Sequence, residues 1–185
     1  MDTALWVLGR GTGVAAVVLL TVAVLLGVVT RGGRPLPWLA RFEVQLVHRD
    51  VSLAATLFVA VHVVTLLLDT EAELRLVDAV VPFAGAYRWF WLGLGTLAVD
   101  LLVALVATAL LRRVIGPRVF RAVHRAAYAM WPIALAHAVG TGTDGTSWWF
   151  LAVAGVCVAV VLAAVAWRCS AHVTEFRTRK LETVR

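Results

Sequence analysis

Four of the five histidines fall in two apolar stretches, HRDVSLAATLFVAVH (His48 to His62) and HRAAYAMWPIALAH (His124 to His137). Each stretch carries one histidine near either end. Ionisable residues within membrane spans are costly and usually functional, and imidazole is a favoured ligand of haem iron. On a helix rising about 1.5 Å per residue, His48 and His62 lie about 21 Å apart, and His124 and His137 about 19.5 Å. Two helices with such matched spacing can clamp two metal centres stacked across one bilayer.

Other chemistries fit these residues less well. A lone membrane histidine commonly makes a helix–helix hydrogen bond, but four at matched depths ask for more. Two imidazoles per level leave a four-coordinate zinc site half filled. A proton relay needs carboxylates nearby, and Asp100 is the one placed deep within a span. Bis-histidine haem fits best, because the porphyrin supplies four in-plane nitrogens and the protein two axial ones. Such a six-coordinate iron suits electron transfer. The rival reading is a haem-free transporter or structural bundle with a histidine proton relay, and a haem spectrum separates the two.

Phase raises one difficulty. On a regular helix, fourteen residues return to within about 40° of the same face, whereas thirteen fall short by about 140°. The helix carrying His124 and His137 therefore needs a local irregularity, and Pro132 between them is the expected cause.

The elements that must hold these residues are membrane helices. Of 185 residues, 62% are hydrophobic and 15% charged, against about a quarter charged in soluble chains; mean hydropathy is +0.90. An all-α polytopic transmembrane bundle is predicted, with about five spans near 4–30, 44–68, 89–111, 120–139 and 148–167. Both metal centres would then stack between the second and fourth spans. Residues 1–172 form the membrane domain, and residues 173–185 a basic cytoplasmic tail. The first span resembles a signal-peptide core, but it lacks a basic start and a small-x-small cleavage site, so a retained helix is expected. Gly9 and Gly13 form a weak GxxxG packing signal. Arg10 is expected to snorkel to headgroups.

Connectors alternate in charge: basic RGGRPLPWLARFE, acidic DTEAELRLVD, basic RRVIGPRVFRAVHR, then GTGTDGTS and a basic tail. The positive-inside rule puts the N-terminus outside and the C-terminus in the cytoplasm of a plasma-membrane protein. His48 then pairs with His124 on the cytoplasmic side, and His62 with His137 on the outer side. The net charge of +6 reads as a topology signal, not a nucleic-acid face. Tyr87, Trp89, Phe90 and Trp91 look like an interfacial aromatic belt. Cys157 and Cys169 are too far apart along one helix to bridge, and His172 falls in the polar tail.

The paired His-x13-His and His-x12-His helices, with basic residues beside the cytoplasmic histidines, resemble the ferric reductase-like transmembrane domain. Further resemblance to small actinobacterial members lies in LGRGTGVAAVVLLT, VPFAGAYRWFWLGLGTLAVD, HRAAYAMWPIALAH and GTGTD, over about residues 5–167. The superfamily includes ferric reductases, NADPH oxidases and the haem subunit of the periplasmic methionine sulfoxide reductase system. The resemblance implies two b-type haems on His48, His62, His124 and His137, and transmembrane electron transfer.

Arg49, Arg121 and Arg125 lie within a turn of the cytoplasmic histidines and are candidate partners of haem propionates, with headgroup contact as the alternative. Arg88 is a candidate at the outer level, and Asp100 a candidate partner of an axial histidine N–H. Gly93, Gly95 and Gly140 either leave room for macrocycles or ease helix packing. Family members that act alone carry FAD and nicotinamide domains after the membrane part. This sequence contains neither, and Gly9, Gly11 and Gly13 lie in a membrane helix, not after a strand, so no FAD or NAD(P) site is expected. The chain therefore reads as an oxidoreductase subunit requiring a partner. Its donor would be a cytoplasmic flavoprotein or membrane quinol, and its acceptor an external ferric chelate or flavin-bearing protein. The basic face with Arg112, Arg113, Arg118 and Arg121 could steer an acidic flavoprotein.

Overall fold

The structure, a computed structural model, describes residues 3–31, 41–72, 74–86, 88–142 and 144–182. Among these every regular element is helical: α1 (Thr3–Arg31), α2 (Arg41–Leu68), α3 (Leu76–Val80), α4 (Trp89–Leu110), α5 (Arg112–His124), α6 (Ala127–Thr141) and α7 (Trp148–Glu182), with a 3-10 turn at Thr70–Ala72. Among the described residues four stretches are long and apolar enough to cross a membrane: Thr3–Val29, Phe42–Leu68, Trp89–Leu110 and Trp148–Ser170. The chain is a multi-pass membrane protein. The proline-bearing connector around Pro35 and Pro37, and Tyr87 of the aromatic group, lie outside the described residues. The helix that begins as the last span does not end near residue 167 but continues through the basic tail to Glu182.

The stretch expected as a single fourth span is two helices. His124 ends α5 and His137 lies in α6, with a turn at Arg125 and Ala126 between them. Backbone bonds here run three residues back, from Ala126 N–H to Val123 O, Tyr128 N–H to Arg125 O and Ala129 N–H to Ala126 O, at 2.8, 3.1 and 3.0 Å. Each 3-10 residue turns about 120° in place of 100°, so three or four recover roughly 60–80° of the phase deficit. The irregularity therefore sits at Arg125–Ala126 and not at Pro132, which α6 absorbs without a break. α5 is itself bent: Gly116 has φ 77°, a conformation glycine adopts without Cβ strain, and Pro117 starts the following turn.

Packing joins two hairpins. α1 lies along α2, α4 lies along α6, and α1 also packs on α6 and α7. Ala16, Leu20, Ala23, Val24 and Val28 of α1 are buried, as are Ala98, Leu102 and Leu105 of α4. Ala55, midway between His48 and His62 on α2, is fully buried. In an apolar bundle the hydroxyls turn back on their own helices: Thr21 donates to Val17 O at 2.8 Å and Thr56 to Ser52 O at 2.8 Å. Trp131 Nε1 donates to Thr21 Oγ1 at 2.9 Å, tying α6 to α1 between the two histidine levels.

The segment between α2 and α4 folds over the His62 end. Arg75 binds Asp78 through both guanidinium and backbone, and Thr96 of α4 donates to Asp78 O at 2.6 Å. Two non-glycine residues here have positive φ, Phe83 at 65° and Arg88 at 38°. Each is compensated, since the Phe83 ring packs over Gly93 and the Arg88 guanidinium donates to Gly140 O at 2.7 Å.

The Trp131–Thr21 bond generates an asymmetric expectation. Trp131→Phe leaves the Thr21 hydroxyl bonded to Val17 and should cost about 1 kcal/mol, whereas Thr21→Val strands a buried indole N–H and should cost about 1–3 kcal/mol. Thermal unfolding of the two variants in detergent checks this order, and equal midpoints would contradict it.

Candidate functional site

The four histidines meet in two pairs. His48 faces His124 with ring centroids 6.1 Å apart and planes at 81°. His62 faces His137 at 6.5 Å and 79°. The pairing is the one expected from the charge-derived levels. A metal–imidazole bond is about 2 Å and the ring centre lies about 1 Å beyond the nitrogen, so opposed axial imidazoles on one metal ion stand about 6 Å apart. Both pairs have that separation. Among the described residues no group of three or more metal-ligating side chains occurs. The donor set fits a metal whose remaining ligands come with a macrocycle.

Backbone carbonyls fix the ring nitrogens. His48 Nδ1 lies 3.0 Å from Ala23 O, His62 Nδ1 2.6 Å from Gly9 O, and His137 Nδ1 2.8 Å from Trp91 O. A carbonyl can only accept, so Nδ1 carries the proton in each ring and Nε2 keeps the lone pair a metal needs. Thr141 Oγ1 also lies 3.2 Å from His137 Nδ1. The Phe120 ring stacks on His124 at 5.1 Å and 27°.

A cavity of about 650 Å³ opens between the hairpins at the His62–His137 level, within the size range of cofactor sites. Val17, Leu20, Leu102, Met130 and Ala134 give it an apolar wall, and Asp69, Asp78, Arg10 and Asp144 also line it. Arg10 is ion-paired with Asp144 of the α6–α7 loop and stacks over the Trp6 ring at 4.0 Å. It is the cation of this cavity, a role the expectation of headgroup contact missed. Only the packing of α1 against that loop reveals it.

The other candidates are placed as follows. Arg49 pairs with Asp50 at 2.9 Å and is 65% exposed. Arg121 and Arg125 are exposed on either side of His124. Arg88 bonds the Gly140 carbonyl and does not line the cavity. Asp100 is half-buried in α4 and likewise absent from the lining. The glycines read either as room for macrocycles or as packing positions receive protein rings: Phe83 covers Gly93, His137 covers Gly95 and Trp91 covers Gly140. Gly13 lies under His62, so the GxxxG of α1 is part of the site. The side chain of His172 lies outside the described ones.

Asp78 is buried at the cavity edge, outside the spanning helices. Hydrogen bonds from the Arg75 side chain, then from its backbone N–H, hold the Asp78 carboxyl below its ordinary pKa of 3.8. A depressed carboxylate contributes stability that is present above its unfolded pKa and lost as pH falls through its folded one. Lowering pH from 7 to below 4 should therefore loosen this segment. Asp78→Asn should lower the thermal midpoint at pH 7 and flatten its dependence on acidification, as read by melting curves across pH.

Comparison with known sequences bears on the family. The family model for the ferric reductase like transmembrane component matches residues 12–135. That range covers His48, His62 and His124 and stops two residues before His137. No curated protein and no solved structure matches the chain significantly. With about two thirds of its length matched, the chain belongs to the ferric reductase-like transmembrane family.

Proposed function

We propose that the protein is a dihaem b-type cytochrome carrying electrons across the plasma membrane between a cytoplasmic donor and an outer acceptor. Family membership supports a membrane electron-transfer component. The observation that carries the finer reading is the pair of opposed histidines at each of two levels, separated by 6.1 and 6.5 Å. His48 and His124 would hold the inner haem, and His62 and His137 the outer one. Each haem supplies a one-electron iron couple when bound.

The chain's own residues do the remaining work. Carbonyls of Ala23, Gly9 and Trp91 hold three imidazoles in the ligating tautomer and strengthen them as donors. The same bonds argue against a proton relay, since each N–H is given to backbone and not to a titratable neighbour. Apolar side chains of α1, α4 and α6 line the outer site. Arg10 is the proposed partner for an acidic substituent of the outer group, and Arg49, Arg121 and Arg125 for the inner one. We take α6 with the end of α5 as a fifth span, the N-terminus as outside and the C-terminus as cytoplasmic. Nicotinamide donors deliver hydride, so a flavoprotein must convert it to single electrons, unless a quinol is the donor. The exposed arginines of α5 are the proposed docking face for an acidic flavoprotein. A ferric chelate or flavin-bearing protein is the proposed outer acceptor.

His48→Ala and His124→Ala should each remove the same haem, and His62→Ala and His137→Ala the other, as read in reduced-minus-oxidised spectra of purified protein. Unmatched residual spectra within a pair would sink the assignment. Purified protein should be reduced by dithionite but not by NADPH alone. Adding a flavin reductase or a quinol should restore turnover to an external acceptor, and rapid NADPH-dependent reduction without either would contradict the proposal.

A further inference from the structure

Three of the histidines dock on their helices in one repeated way. The acceptor carbonyls belong to Gly9, Ala23 and Trp91. Four residues further along each helix stands a glycine: Gly13, Gly27 and Gly95. A helical carbonyl points along the axis toward the N–H four residues on, so a donor arriving from the side must cross the space beside that residue. A Cβ there obstructs the approach. Built on Gly13, it would lie 2.9 Å from both Cε1 and Nδ1 of His62. On Gly95 it would come still closer to the same two atoms of His137. On Gly27 it would lie 3.6 Å from His48 Cε1, an ordinary contact.

We propose that Gly13 and Gly95 are positioning residues, which set the rotation of the His62 and His137 imidazoles by letting each Nδ1–H reach a carbonyl four residues back; Gly27 has the same place beside His48 but constrains it least. The proposal rests on the dihaem reading. It assigns the GxxxG of α1, and Gly95 of α4, to ligand orientation at one level, although they lie on different hairpins. The paired rings at this level stand near-perpendicular, at 79°, and the carbonyl-held Nδ1–H fixes the plane of each. Perpendicular axial imidazole planes give ferric low-spin haem a highly anisotropic EPR signal, and a ring turned away from its carbonyl loses both that signature and the donor strength the hydrogen bond confers.

The experiment uses the full chain purified with its haems, and assigns the EPR signal of each haem from the His62→Ala and His48→Ala variants. Gly95→Ala and Gly13→Ala should each shift or abolish the signal of the haem lost in His62→Ala and change its midpoint potential, with Gly95→Ala the larger effect. The second haem, unchanged in the same sample, reports that the bundle is folded. Gly27→Ala should change the other haem little. Gly11→Ala and Gly155→Ala, where an added Cβ meets nothing within 4 Å, should leave both signals as in the wild type. Equal disturbance of both haems by Gly13→Ala and Gly95→Ala would mean general helix packing and overturn the proposal, as would no change in either. A wild-type protein without haem would overturn the dihaem reading beneath it, an outcome distinct from both.

Discussion

An imidazole N–H inside an apolar helix bundle must be given to an acceptor, and in this protein the acceptors are helix carbonyls. Water is scarce there, and an unsatisfied polar group costs several kcal/mol at about the scale of a whole side chain's burial. His48, His62 and His137 each meet the demand with a carbonyl on the neighbouring helix. That single requirement sets the register of α1 against α2 and of α4 against α6. It also selects which nitrogen of each ring faces the opposite histidine.

α1 serves as the scaffold for both levels. Gly9 and Ala23 are as far apart in sequence as His62 and His48, so two antiparallel helices meet twice on one seam. Small residues along that seam, Gly13, Ala16 and Ala23, let the backbones approach. The second hairpin has less symmetry. Its two histidines lie on different helices, and the run of three-residue hydrogen bonds at Arg125–Ala126 offsets part of the phase lost to a spacing one residue shorter. Trp131 and Thr21 then pin α6 to α1 between the levels. The separations of 6.1 and 6.5 Å follow from how these two hairpins are held apart and together.

The two ends of the bundle differ in character. At the His62 end the chain folds back on itself: the Arg75–Asp78 segment bonds to α4, and Arg10 reaches the α6–α7 loop at Asp144. At the His124 end, α5 has no buried residues and exposes arginines on a bent helix. The two ends therefore differ in charge, with carboxylates beside the cavity at the His62 end and exposed arginines at the His124 end.

Much of this was legible in the residues themselves. Four histidines at matched spacing in apolar runs marked the candidate site, and alternating loop charge anticipated the contacts of His48 with His124 and of His62 with His137, because span length and charge bias are local properties of a chain. The thirteen-residue spacing also announced an irregularity, since helix periodicity is arithmetic. Tertiary structure alone decided where it fell: Pro132 carried the sequence signal, yet the chain overwinds at Arg125 and Ala126, where neighbouring packing and not residue type determines the hydrogen bonding. Arg10 looked like a headgroup anchor until the α6–α7 loop came to meet it. Gly93, Gly95 and Gly140 read equally as room for a cofactor or as packing positions, and each is covered by a ring of the chain itself. A glycine states that something comes close, and only the arrangement of helices in space says what.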